Sequence, residues 1–473
     1  MTNTNKNVIL NILKTIFSIV FPVISVRYAT TIIGVEGIGK INFANSIVSY
    51  FSIFASLGMQ TYAIRECSKV INDRKRINKV ASELFSINLI STIIVYFVLI
   101  IILLTIKRIQ NYNLLIIISS IQIILTTLGT DWINMAAEDY SYITIRTILF
   151  QILAIICMFV YVKSETDYIK YAFIMSVVTN GYYIINIFYR KKYSDIEFTF
   201  NINIKQHWRP IVILFSSMLL QTIFNNIDVT IIGLTLGDTQ VGIYSIAIKI
   251  INLVNQVIAS IAFVLMPQLT IEFTNRNYNK INDILRYSLG FIITFGLPCI
   301  VGLSCLSTEI IFFIAGEEFF EASKYLLMLN VSLGLSFLGG FMGNMILLPS
   351  GRDKIFFLGG FISLIFDIVI CWLFIPKYGL AAASIARIVY QLIGIIIPSL
   401  YIKSEIKISN IKDLIIAPIL GSIMIFIISY YIKKILINRF IILLVVILLS
   451  MVVYIIILLL FKNKFFKDFI KIN

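Results

Sequence analysis

The last long apolar run of the chain, Phe440–Phe461, reads FIILLVVILLSMVVYIIILLLF and carries no charge. About 20 apolar residues in a helix span the ~30 Å hydrocarbon core of a bilayer, whereas a barrel strand needs only about 10, with alternating polarity. This run is too long and too evenly apolar to be a strand. Val80–Ile106, VASELFSINLISTIIVYFVLIIILLTI, repeats the pattern with one carboxylate near its start. Runs of similar length recur along the chain, beginning with Val8–Tyr28 and Asn42–Tyr62, to give about fourteen spans. Lipid offers backbone groups no partners, so a chain of such runs folds as a helical bundle.

Composition agrees. Of 473 residues, 59% are hydrophobic and 13% charged, too few charges to coat a soluble protein of this length. The net charge of +15 would suggest nucleic acid in a soluble protein, but no nucleic-acid signature is present. Its distribution instead follows the positive-inside rule. With the N-terminus in the cytoplasm, the inner segments hold 24 Lys and Arg and the outer ones 9. An even number of spans with both termini inside, in a multi-pass plasma-membrane protein, is the topology this predicts. No loop is long enough for a soluble domain, and Val8–Tyr28, interrupted by Lys14, is too long for a cleaved signal. The five cysteines form no C-x-x-C pair, so neither a disulfide framework nor a metal site is indicated.

A shift of 203 residues pairs Gly34 with Gly237, Gly39 with Gly242 and Ala44 with Ala247. A shift of 214 pairs Gly129 with Gly343, Asp139 with Asp353 and Cys157 with Cys371. We read two six-helix bundles, residues 1–200 and 201–405, as parallel repeats, followed by two helices and a basic cytoplasmic tail at 406–473. Parallel repeats are typical of alternating-access transporters.

Charges within spans are costly and face a partner or a cavity. The cations in question are Lys14, Arg27, Arg146, Lys249 and Arg387; the carboxylates are Glu83, Asp131, Asp228 and Asp367. Each is read either as the wall of a wet, positive central cavity or as half of an interhelical ion pair. The first repeat shift lays Lys14, Ser18 and Ser25 over Ser217, Gln221 and Asp228, and Pro22 over Asn225, on one helix face. Lys249 shares a second stripe with Ser245, Asn252 and Gln256. These stripes are predicted to line the cavity, although Ser and Asn also glue helices together. The single histidine, His207, stands beside Trp208 and Arg209 and reads as an interfacial anchor. No catalytic triad, zinc-protease motif or Walker A loop is present. An enzyme is not expected, and ATP cannot drive transport directly. Energy must come from an H+ or Na+ gradient or from consumption of the substrate.

The segment Gly58-Met-Gln-Thr-Tyr-Ala-Ile-Arg-Glu resembles the G-x-x-x-Y-G-x-R-E segment of polysaccharide repeat-unit flippases, the Wzx-type or O-antigen transporters, with Ala63 in place of glycine. The loop bearing Gly34 and Gly39 is also similar, and the likeness extends over helix number, paired halves and the basic loop after the second span. It implies a MATE-like fold of the multidrug/oligosaccharidyl-lipid/polysaccharide superfamily. It implies a substrate of undecaprenyl diphosphate bearing an oligosaccharide, moved from the cytoplasmic to the outer face for O-antigen, capsule or other surface polymer. Membrane lipids and a polymerase of the assembly line are the implied partners. Under that reading Lys14, Arg27, Arg65, Arg146, Lys249 and Arg387 would meet the diphosphate. Asp131, Asp228 and Asp367 would serve as counter-ions or coupling sites, and Ser18, Ser25, Gln221, Asn225 and Asn252 would supply polar lining. Two transporters on the same fold compete, a lipid II flippase and a cation-coupled multidrug exporter; the latter is disfavoured by the cationic balance. A polymerase or acyltransferase lacks its expected loop or histidine here.

Overall fold

The computed structural model describes residues 3–402, 406, 411–461 and 463–471. Every regular element among them is helical. The chain divides into two compact units, Met1–Gly242 and Ile243–Asn473. The first contains α1 (Asn3–Ser56), α2 (Met59–Ser68), α3 (Arg74–Thr105), α4 (Asn113–Gly129), α5 (Trp132–Ala136), α6 (Tyr140–Tyr161), α7 (Tyr168–Phe173), α8 (Tyr182–Tyr189), α9 (Ile204–Thr235) and the start of α10 (Asp238–Thr274). The second contains the rest of α10, then α11 (Tyr278–Phe291), α12 (Leu297–Ala315), α13 (Ala322–Gly340), α14 (Asp353–Tyr378), α15 (Leu380–Ser399), α16 (Lys412–Ile435), α17 (Arg439–Leu460) and α18 (Lys464–Lys471). The repeat division at 200/201 is drawn on sequence correspondence and remains a proposal; its counterpart at 405 falls outside the described residues.

Among the described residues, 13 helical stretches are long and apolar enough to cross a membrane. The difference from about fourteen lies at the N-terminus, where the first two predicted spans run on as α1. At 1.5 Å per residue its 54 residues would extend about 81 Å, far beyond one bilayer core. The helix breaks at Gly34, whose φ of 72° and ψ of −178° lie outside the helical region and favour glycine. Gly237, its partner in the 203-residue repeat, turns the chain between α9 and α10 with φ 92°.

The second glycine pair shows why those positions are small. A Cβ on Gly39 would lie 1.8 Å from the carbonyl oxygen of Asp238, and one on Gly242 would lie 2.2 Å from that of Val35. Residues 35 and 39 plus 203 are 238 and 242, so the two contacts are copies of each other. The backbones touch because no side chain separates them. Nearby, α9 packs along α1. There the Tyr50 hydroxyl lies 3.0 Å from Thr230 Oγ1, which donates to Ser46 Oγ at 3.0 Å.

Helix ends within the first unit are closed by side chains. The last carbonyls of α1, Phe54 and Ala55, accept from Ser91 Oγ and Asn88 Nδ2 of α3, each at 2.7 Å. Those of α4, Leu128 and Gly129, accept from Arg190 Nη1 and Asn186 Nδ2, also at 2.7 Å. Such carbonyls have no partner in their own helix, and lipid supplies none.

Between α8 and α9 a 3-10 turn, Arg190–Lys192, leads into a non-helical strap that runs along α3. Arg74 donates to the carbonyls of Lys191 and Lys192 and to Asp195 Oδ2. Asn78 accepts from the Asp195 amide, Ser82 from Glu197 and Ser86 from Thr199, at 2.8 to 3.0 Å. Four residues of helix rise about 6 Å, and two extended residues advance about 6.6 Å, so every second amide meets every fourth side chain.

In the second unit α15 packs on α13 and α14, and the appended helices α16 and α17 pack on α12. Leu306 contacts Ile442, Leu443 and Val446, and Lys433 Nζ meets the buried Glu309 carboxylate at 2.8 Å. Large apolar side chains remain outside, such as Phe97 at 67% and Leu104 at 72% exposure, as a lipid-facing surface requires.

Two predictions follow from these contacts. Gly39→Ala should sharply reduce the amount and thermal stability of detergent-purified protein, while Gly302→Ala, with open space at its Cβ, should not; equal behaviour would show that the crossing is not tight. The Arg74 guanidinium holds the Asp195 carboxyl below its usual range. A depressed carboxyl stabilises the fold above its unfolded pKa and loses that effect as the pH falls through the folded value. Acidification through that range should therefore raise hydrogen exchange at the 195–199 amides, after correction for intrinsic rates, and Arg74→Ala should produce the same rise at neutral pH.

Candidate functional site

The polar stripes on α9 and α10 are open in part, with Asp228 and the Ser245 hydroxyl buried. On α9, Ser217 and Gln221 are exposed and Asn225 is half-buried. This helix is the least enclosed of the 13, with 6% of its most apolar window buried against 28% to 44% for the others. On α10, Lys249, Asn252 and Gln256 are exposed on one face. Lys249 Nζ makes no ion pair or hydrogen bond among the described residues. Protein atoms crowd around this lysine, yet its surface stays open to a water-sized probe. It therefore lines a recess. By helical rise it lies about 17 Å from the start of α10. An ammonium at such a depth needs water or an anion beside it.

Other ionisable residues are already engaged. Arg146 is buried and pairs with Asp131. Its guanidinium lies 4.8 Å from the Tyr142 ring and 4.9 Å from the Tyr182 ring, two aromatic faces that stabilise a cation. Asp228 is buried in α9, where Oδ1 accepts from the Val229 amide at 2.8 Å. Asp367 of α14 and Arg387 of α15 are buried in adjacent helices, and both act electrostatically on Tyr390. Arg27 is half-buried on α1. Ser25 is buried and donates to the Pro22 carbonyl at 3.2 Å. Arg65 is exposed at the end of α2, 3.2 Å from Glu66 and over the Tyr62 ring at 5.4 Å. Lys14 and Ser18 lie on α1, but their side chains fall outside the described residues. Among the described residues Arg146 thus pairs with Asp131 and Arg65 with Glu66, while Lys249 faces open space.

His207 corrects the sequence reading. It is 2% exposed and is no interfacial anchor. Its Nδ1 lies 2.8 Å from the Tyr62 hydroxyl and its Nε2 3.1 Å from Glu83 Oε2. Glu83 Oε2 also accepts from the Asn203 amide at 3.2 Å. This chain of buried polar groups ties α2 and α3 to the first turn of α9. Trp208, exposed at 65%, takes the outer position. No local pattern marks a pairing between residues 145 apart in sequence; the only signal was Tyr62, the tyrosine of the Gly58–Glu66 segment. The rest of that segment serves the same joint. Gly58 has φ 66°, and a Cβ there would meet the Phe215 amide nitrogen of α9 at 3.1 Å. Met59, Tyr62 and Ala63 are buried with Leu84, Trp132 and Ile211.

A buried donor or acceptor left without its partner costs about 1–3 kcal/mol. Tyr62→Phe and His207→Ala should each lower the thermal midpoint of the purified protein, and the double variant should lose less than the sum. Strict additivity would show that the two side chains do not act together.

Comparison with known proteins shows the family and the fold. The model of a family described as "Polysaccharide biosynthesis protein" matches residues 4–271, and that of MatE matches residues 214–373. A Shigella dysenteriae protein named as a candidate O-antigen transporter is 21% identical over 373 residues, covering 76% of this chain and 91% of its own. The capsular polysaccharide biosynthesis protein CapF of Staphylococcus aureus is 22% identical over 401 residues, covering 83% and 97%. Among solved structures, the lipid II flippase MurJ in an inward closed conformation superposes with a TM-score of 0.77 at 19% identity, covering 98% of this chain and all of that one.

Proposed function

Because this chain belongs to the polysaccharide biosynthesis protein family, we propose that it is a flippase for polyprenyl-diphosphate-linked oligosaccharides. The cargo is an undecaprenyl diphosphate bearing a repeat unit, carried from the cytoplasmic to the outer face of the plasma membrane by alternating access. The relatives named for O-antigen transport and capsular polysaccharide biosynthesis support this class of cargo. Both termini are cytoplasmic in this reading, on the strength of the loop charges.

The observation that carries the proposal is Lys249. An unpaired ammonium in a recess, with Asn252 and Gln256 on the same helix face, suits a ligand combining a dense negative charge with hydroxyls. A diphosphate joined to a sugar has that chemistry. The ammonium provides a point charge, and the amides exchange hydrogen bonds with sugar hydroxyls. The headgroup alone crosses, while the polyprenyl tail stays in lipid. Arg27, Arg387 and Lys14 are secondary cations for the same path, and Asp228 and Asp367 their counter-ions. The chain itself performs no bond chemistry, and an H+ or Na+ gradient or removal of the product supplies direction. Lipid II is the second reading, favoured by the full-length likeness of fold.

Deletion of the gene, followed by extraction of lipid-linked sugars, tests the proposal. Loss of surface polymer with undecaprenyl-linked repeat units trapped on the inner face is expected; a trapped peptide-bearing lipid would point to lipid II. Intact polymer with no accumulated intermediate would overturn the proposal in a strain with no second flippase. On complementation, Lys249→Gln should cut polymer export several-fold at equal protein level, and Lys249→Arg should restore part of it.

A further inference from the structure

In the Ile243–Asn473 unit, the end of α10 and the loop before α14 enclose a cavity of about 360 Å³, away from Lys249. Arg276 and Arg352 enter its wall from opposite loops, and Tyr278 lines it too. No carboxylate lines it among the described residues. The nearest acid on α10, Glu272, is held by Lys280 Nζ at 3.3 Å, and Asp353 follows Arg352 at the start of α14. The Arg276 guanidinium has no hydrogen-bond or ion-pair partner among the described residues, while its backbone bonds Phe273 and Tyr278. Arg352 spends Nη1 on the Tyr401 carbonyl, which fixes its direction and leaves its other nitrogens.

Backbone geometry sets these side chains apart. Arg276 occupies the left-handed position that closes α10, with φ 54°, where glycine or asparagine is usual although Asn275 and Asn277 stand on either side. Across the cavity Gly351 turns the opposing loop at φ 73°, and a Cβ there would meet nothing within 4 Å. The hydroxyls of Thr270, Thr274 and Ser350 already donate to carbonyls of their own chain. What the cavity offers is therefore two guanidinium forks, a set of donors for a ligand made of acceptors. A phosphate fits that set, and Arg meets it with paired N–H bonds. Phe273, Leu348 and Pro349 complete the wall with apolar surface. The cavity sits where α10, α11 and α14 end or begin, the level at which lipid headgroups lie.

We propose that this pocket binds a phosphate carried on a membrane lipid. Two lipids bring that chemistry: an anionic phospholipid, and the polyprenyl diphosphate of the proposed cargo waiting outside the Lys249 recess. The second source rests on the proposed function; the first does not.

The test uses the full chain, purified and delipidated in a neutral detergent. Binding of phosphatidylglycerol, diacylglycerol, undecaprenyl diphosphate and undecaprenol is measured by native mass spectrometry. Arg276→Gln, Arg352→Gln and their double variant are compared with Lys107→Gln, which removes an exposed charge elsewhere. Phosphatidylglycerol or undecaprenyl diphosphate should bind well above its neutral counterpart. The double variant should weaken that binding by about tenfold or more while Lys107→Gln does not. Whichever lipid shows this behaviour is the source. Diacylglycerol and undecaprenol binding as tightly as the phosphate-bearing lipids, or a folded double variant binding like the parent, would overturn the pocket. Arg276→Gln alone guards against misfolding of the double variant, since the Arg276 guanidinium makes no hydrogen bond or ion pair among the described residues. A phosphatidylglycerol result stands whatever gene deletion shows, so the two proposals fail separately.

Discussion

Hydrocarbon accepts and donates no hydrogen bonds, and the helix ends of this chain answer to that fact. A helix satisfies itself in its interior and fails at its ends. At the ends of α1 and α4 the orphan carbonyls are taken by Asn88, Ser91, Asn186 and Arg190, residues brought from 30 or more positions away. The strap after α8 is extended backbone, and Asn78, Ser82 and Ser86 collect its alternate amides. Polar residues in these helices are thus mostly spent on backbone. Lys249 makes no such bond among the described residues, whereas Arg146 is paired with Asp131.

The Gly58–Glu66 segment shows how a family pattern can mark a joint. Its glycine admits the backbone of α9, its tyrosine meets His207, and its Arg65–Glu66 pair lies on the exposed side. None of these features needs a ligand to explain it. Substitutions there would damage transport by freeing α9, and the loss could be mistaken for lost recognition.

Much of the fold was legible because lipid simplifies the code. Runs such as Phe440–Phe461 admit one reading, and the structure gives that segment the helix Arg439–Leu460. The exposed stripe of Lys249, Asn252 and Gln256 was also readable, since a period of 3.6 puts those residues on one face. Two kinds of fact were hidden. Residues 29–41 resemble a loop in composition, yet α1 continues through them except at Gly34, because the break needs only one glycine. His207 looked interfacial because its neighbours are Trp208 and Arg209. Its burial depends on Tyr62 and Glu83, which reach it from two other helices and leave no trace in local sequence. Which charges pair and which stand alone is decided by such distant partners, so candidate cations could be named from sequence but not ranked.

The crossing of α1 and α10 has one more consequence. Position 39 touches 238, and position 35 touches 242, the reciprocal pattern that defines an isologous interface between identical subunits. Here it lies within one chain. In a pair of identical subunits one mutation would strike both contacts at once. In a single chain Gly39 and Gly242 are encoded separately, so a change at either leaves the other contact unaltered.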